Sequence, residues 1–146
     1  MRICRHEEFE VAHVLPEYPG ACGNLHGHTY KIEVTLEGPQ DPSKWGMVLD
    51  FNILKKIIKE VVPDHRFIYN KLNTSPLEAD LLDVLEEYNC LTVGYPFATT
   101  AENMCQYFAT LIDSILITKY GLTNVKVAEI KLWETTNSYA HYIKEK

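Results

Sequence analysis

His26-Gly27-His28-Thr29-Tyr30-Lys31-Ile32-Glu33-Val34-Thr35-Leu36-Glu37 alternates with the period of a β-strand. His26, His28, Tyr30, Ile32, Val34 and Leu36 fall on one face, and Gly27, Thr29, Lys31, Glu33, Thr35 and Glu37 on the other. Successive strand side chains point to opposite sides, so this is a half-buried strand with its even positions inward. Two histidines head the inward face. Upstream, Phe9, Val11 and His13 share a face while Glu8, Glu10 and Ala12 take the other. That pattern predicts a partner strand over 9–13 with a third histidine at its end.

Downstream the period changes. Asp50 has the chemistry of a helix N-cap. Phe51, Leu54, Ile57, Ile58 and Val61 follow at helical spacing, and Pro63 marks the end. A second helix is predicted from Ala101 to Tyr120, with Met104, Phe108, Leu111, Ile112, Ile115 and Leu116 inward and Gly121 as the C-cap glycine. Thr99 and Glu102 have the spacing of a capping box at its start. Two strands, Val125–Glu134 and Tyr139–Ile143, follow around a polar turn at Thr135–Ser138. Between the main helices, Leu77, Leu81, Leu82, Leu85 and Tyr88 give one apolar stripe, which predicts a short extra helix. Two hairpins separated by helices indicate an α+β fold.

The 146 residues contain no repeat, low-complexity tract or linker, so a single domain over 1–146 is expected. A hydrophobic fraction of 46% with 23% charged residues excludes a disordered or fibrous chain. The net charge of −6 argues against a nucleic-acid partner, which needs a basic face. No apolar run has the length of a membrane span, and the first residues lack a signal-peptide core. These features predict a soluble, cytoplasmic protein without a membrane partner. Cys4, Cys22, Cys90 and Cys105 are too sparse for a disulfide framework; Cys4, Cys90 and Cys105 are expected to be buried.

His26 and His28, two residues apart on a strand, send both imidazoles from one face. With His13 at the end of the adjoining strand, three neutral imidazoles converge, a donor set suited to zinc. Three protein ligands leave a fourth position open, as in catalytic zinc sites. His6 and His141 lack such a context. Cys22, four residues before His26, has three readings: a fourth ligand closing the site, an inert loop cysteine, or a thiolate acting as a base beside the metal. Asp64-His65 is a carboxylate–imidazole pair of the kind that shuttles protons, or an ordinary helix-end turn. Glu134 ends the apolar stripe Ala128, Ile130, Leu132. It is either an internal ion-pair partner, a strand-end group in solvent, or an acceptor for the N–C–N edge of a pterin or purine. Thr99 to Asn103 caps a helix, and its amides and hydroxyls can also bind a ligand.

These residues, in this order, resemble the 6-pyruvoyltetrahydropterin synthase and 6-carboxytetrahydropterin synthase superfamily. The resemblance is carried by Phe9-Glu10-Val11-Ala12-His13-Val14-Leu15 and by Cys22-Gly23-Asn24-Leu25-His26-Gly27-His28, which has the Cys-x3-His-Gly-His signature of the carboxytetrahydropterin branch. Gly46 to Phe51, Asp64-His65, Thr100 to Asn103 and Lys131 to Thr135 complete it. Departures are Pro63 before Asp64, Arg66-Phe67-Ile68-Tyr69-Asn70 after His65, Val11 for a small residue, Thr99 where a proline often stands, and a long segment over 71–97. The resemblance implies a tunnelling fold, ββααββ, with a four-stranded antiparallel sheet and the two main helices on one face. It implies trimers that close a β-barrel and stack into a homohexamer, with sites between subunits. It implies Zn2+ on His13, His26 and His28, Cys22 as the proton-transfer thiol, and Asp64-His65 as its relay. It implies Glu134 as the pterin anchor, with Thr100, Ala101 and Glu102 alongside. The implied activity is a carbon–carbon lyase that converts 7,8-dihydroneopterin triphosphate to 6-carboxy-5,6,7,8-tetrahydropterin, triphosphate and acetaldehyde, on the way to queuosine. The rival readings are 6-pyruvoyltetrahydropterin synthesis from the same substrate and a zinc module that binds a pterin or nucleobase without turnover.

Overall fold

The computed structural model describes residues 1–145. Its elements run β1 (Arg2–His13), β2 (His26–Glu37), α1 (Phe51–Val61), β3 (Arg66–Asn70), α2 (Pro76–Glu87), β4 (Thr92–Tyr95), α3 (Ala101–Thr118), β5 (Lys126–Thr135) and β6 (Ser138–Ile143). β1 and β2 form a long antiparallel hairpin in which Phe9 faces Tyr30, Val11 faces His28 and His13 faces His26. The predicted strand over 9–13 therefore begins seven residues earlier, at Arg2. Its first half was disguised because Arg5 and Glu7 occupy inward-facing positions, where they satisfy each other as an ion pair at 2.6 Å.

The sheet is also larger than the expected four antiparallel strands. Those four are present in the order β1-β2-β5-β6, but β3 and β4 extend the sheet beyond β1 to give β4-β3-β1-β2-β5-β6. β3 lies parallel to β1 and β4 parallel to β3. The β1–β3 contact is confined to Val11 and Ala12, so from Arg2 to Phe9 the outer edge of β1 has no strand beside it among the described residues. The outer edge of β6 is likewise unpaired among the described residues. A register shift opposite Thr35 and Leu36, with Ala128 the unpaired extra residue of β5, sets Val127 opposite Leu36 on the inward stripe of β5.

α1 and α3 both pack on the face carrying Phe9, Tyr30, Ile32, Val34, Ile130 and Leu132. Leu54, Ile57 and Ile58 of α1 and Met104, Phe108, Ile112 and Leu116 of α3 are fully buried there. Each such side chain contributes roughly 1.5–3 kcal/mol by leaving water. Asp50 caps α1 as expected, its carboxylate accepting from the Asn52 amide at 2.7 Å. α3 stops at Thr118, two residues short of the expected end, and Gly121 takes a left-handed φ of 66° just beyond it. The extra helix α2 forms, closed by a Ser75–Glu78 capping box. Glu78 is its one buried residue, while Leu77, Val84 and Tyr88 remain exposed. Of the three cysteines expected inside, only Cys105 is buried. Cys4 sits on the outward face of β1 and Cys90 in the turn after α2, and both are exposed.

Candidate metal centre

The hairpin register brings the three histidines together. His13 pairs with His26 across the strands, and His28 lies one inward position further along β2. One nitrogen from each imidazole lies within 4.8 Å of the others, the only such set of potential metal ligands among the described residues. His13 Nε2 and His26 Nε2 are 3.1 Å apart.

The opposite ring nitrogens are tied to carbonyls. His26 Nδ1 stands 2.7 Å from the Asn24 carbonyl oxygen, and His13 Nδ1 is 3.1 Å from that of Thr99. A carbonyl can only accept, so each Nδ1 carries the hydrogen and each Nε2 turns a lone pair toward its neighbours. That is the arrangement outer partners impose on metal-binding histidines. His28 Nε2 is buried without a hydrogen-bond partner. A buried orphan nitrogen beside two lone pairs is costly without an ion and satisfied with one. The donor set therefore fits a divalent metal.

The Thr99 contact corrects the expected capping box. Thr100, not Thr99, caps α3, accepting from the Asn103 amide. Thr99 is buried, with its hydroxyl 3.1 Å from His13 Nδ1. Its role lies in a contact across 86 residues, which local spacing does not reveal.

Burial, reinforced by the charges of His26 and His28, lowers the His13 pKa from 6.5 to about 4. Burial also lowers that of His28, against the pull of Glu134. His13 is thus neutral and able to bind metal throughout the physiological range. It also follows that the unfolded chain takes up this proton before the folded one. The metal-free protein should lose up to about 3 kcal/mol of stability as pH falls from 6.5 towards 4, with no contribution from this group above 6.5. Urea unfolding of the chelated protein at pH 7, 5.5 and 4.5 checks this, and equal stabilities at pH 7 and 4.5 would contradict it.

Around the cluster stand several of the other expected residues. Glu134 Oε1 lies 3.5 Å from His28 Nε2 and accepts a hydrogen bond from the Tyr30 hydroxyl at 2.8 Å. Tyr30, which the sequence suggested only as a core residue, thus reaches the site. Its pKa is raised, first by burial and then by the charge of Glu134, with smaller effects from Glu102 and Cys22. Glu102 is exposed in the first turn of α3, Ala101 is buried behind it, and Thr100 is half-buried at the cap.

Cys22 is half-buried in a short helical turn, Ala21–Gly23, outside the three-imidazole set. Its carbonyl accepts from the Leu15 amide at 2.9 Å. Gly23 makes this turn possible, since a Cβ there would lie 2.5 Å from the Tyr18 carbonyl oxygen.

The Asp64 and His65 side chains do touch, at 2.8 Å. Asp64 also accepts from the Glu10 amide at 2.9 Å, the main reason its pKa is held below the usual carboxylate range. His65 is exposed and takes a left-handed φ of 55°. It lines a cavity of about 360 Å³ with Glu10, Val11, Ala12, Leu25, Phe67 and Leu85, beside the edge of β1 that pairs with β3. Within one chain, no hydrogen bond or ion pair joins this pair to the imidazole cluster among the described residues.

Comparison with known proteins places the chain among relatives. Residues 2–145 match the family described as 6-pyruvoyl tetrahydropterin synthase. The chain is 36% identical to 6-carboxy-5,6,7,8-tetrahydropterin synthase of Haemophilus influenzae, covering 97% of each chain. A crystal structure of an uncharacterized protein from Wolinella succinogenes matches with a TM-score of 0.77 at 26% identity, covering 99% of this chain and 98% of that one. The 6-pyruvoyl tetrahydropterin synthase of Plasmodium vivax matches with a TM-score of 0.73 at 20% identity, over 100% and 98%. These likenesses are to the tunnelling fold expected from the sequence.

Proposed function

Because this chain belongs to the 6-pyruvoyl tetrahydropterin synthase family, we propose that it converts 7,8-dihydroneopterin triphosphate and water to 6-carboxy-5,6,7,8-tetrahydropterin, triphosphate and acetaldehyde, with zinc held by His13, His26 and His28. The observation that carries this reading is the convergence of those three imidazoles, with both mapped tautomers set for metal binding, in a chain similar to a 6-carboxytetrahydropterin synthase over almost its full length. When bound, zinc would supply Lewis acidity at the substrate's side-chain hydroxyls, making the neighbouring C–H more acidic.

The chain's own residues supply the rest. Glu134 offers a carboxylate to the N–C–N edge of the pterin ring and so fixes where the side chain falls. The first turn of α3, from Thr100 to Glu102, lies alongside. Cys22 accepts the proton from carbon, since it stands close enough to Tyr30 to act on its ionisation but outside the ligand set. His65, oriented by Asp64, returns protons to the rearranging side chain.

Among the described residues, no hydrogen bond or ion pair ties Asp64-His65 to the imidazoles of its own chain, so the relay serves the site of a neighbouring subunit. The open edges of β1 and β6 support such an assembly, because an unpaired edge is a template for another strand. We assign the barrel-closing trimer and the stacked hexamer to these edges. The reaction belongs to queuosine formation and to the cytoplasm, where free thiols such as Cys22 stay reduced.

The family description favours a second reading, 6-pyruvoyltetrahydropterin formation from the same substrate. Product identification separates the two. Acetaldehyde and the 6-carboxy product in equal amounts are expected; a pyruvoyl product without acetaldehyde would replace the first reading with the second.

A further inference from the structure

A carboxylate beside an open three-ligand metal site is a potential fourth ligand, and as a ligand it would close the site. Glu134 is such a carboxylate. Its Oε1 stands 3.5 Å from His28 Nε2, yet that nitrogen has no hydrogen-bond partner. What Oε1 holds instead is the Tyr30 hydroxyl, at 2.8 Å. Among the described residues, no other side chain makes a hydrogen bond to Glu134, and His28 is its only ion-pair neighbour.

Tyr30 is built to stay where it is. It is fully buried, its ring stacks on Phe9 with centroids 5.4 Å apart, and its edge meets His28 at 5.3 Å. A carboxylate oxygen accepts, so at 2.8 Å the Tyr30 hydroxyl is the donor toward Oε1. A charge-assisted hydrogen bond from a rigid donor fixes the carboxylate's orientation.

We propose that Tyr30 is a positioning residue that holds Glu134 back from the metal, keeping the fourth coordination position open and leaving Oε2 free for the substrate ring. The proposal rests on the metal-site reading above. It makes two effects move in opposite directions. Without the hydroxyl, Glu134 swings to the metal: the ion is held more tightly and the pterin less tightly. A hydroxyl with a merely structural role would leave metal binding unchanged or weaken it.

The test compares wild type, Tyr30→Phe, Glu134→Gln and the double variant, with cobalt(II) replacing zinc. Phenylalanine keeps the buried ring, and melting curves of the metal-free proteins confirm the fold. Chelator competition measures cobalt affinity, visible absorption reports its coordination, and 7,8-dihydroneopterin serves as the pterin probe. Tyr30→Phe is expected to bind cobalt about tenfold tighter, the scale on which outer partners act. Its spectrum should no longer respond to pterin, and kcat/KM should fall about tenfold or more. Adding Glu134→Gln should return cobalt affinity to that of the single Glu134→Gln protein. Unchanged or weaker cobalt binding in Tyr30→Phe, or tightening that survives Glu134→Gln, would overturn the proposal while leaving the proposed reaction standing. A wild type that takes up no cobalt would instead remove the metal site, and this inference with it.

Discussion

His26→Ala is expected to lose its metal and, with it, turnover. His26 is the right ligand to remove because it is only half-buried, so its loss perturbs the fold little, whereas His13 is fully buried. Its Nε2 stands 3.1 Å from that of His13, and its Nδ1 is already committed to the Asn24 carbonyl. Alanine leaves two imidazoles and a second open position. Metal affinity should fall by more than the roughly 10- to 100-fold that loss of an outer partner costs. The reaction should slow by about a thousandfold or more, the several kcal/mol that Lewis-acid stabilisation supplies. Metal analysis after gel filtration and kcat/KM at saturating zinc read the two effects. A variant that keeps one tightly held zinc per chain would contradict the assignment.

Cys22→Ala should have the opposite signature: full metal content with kcat/KM reduced by about 100- to 10,000-fold, the range of a general base. The distinction follows from the structure, because Cys22 lies outside the three-imidazole set but near enough to Tyr30 to act on its ionisation. Cys4→Ala is the control, since Cys4 is exposed on the outward face of β1 and should leave both metal and rate unchanged. If the wild type does not turn over and Cys22→Ala loses its zinc, Cys22 is a fourth ligand and the protein is a binding module rather than an enzyme.

Much of this site could be read from the sequence because it is built on strands of clear alternation. His26, His28 and Tyr30 lie at period two on β2, and the same period places His13 opposite. Elements without that signal escaped. The first half of β1 has a charged pair at its inward positions. β3 and β4, five and four residues long, are too short for alternation to declare them. Thr99 looked like a cap because its spacing to Glu102 is that of a capping box, but burial and the His13 ring claim it. The Tyr30–Glu134 bond joins residues 104 apart, and only the packing of β2 against β5 creates it. The position of Asp64-His65 beside the edge of β1 that pairs with β3 was equally hidden, because a left-handed backbone at His65 redirects the chain into β3.

If the three histidines hold the metal on which pterin chemistry depends, removing that metal must stop the reaction. The direct measurement is turnover of 7,8-dihydroneopterin triphosphate by protein of known metal content, before chelation, after it, and after zinc is restored. One zinc per chain, loss of acetaldehyde formation on chelation and its recovery with zinc are expected. Acetaldehyde released at full rate by the metal-free protein would contradict the account.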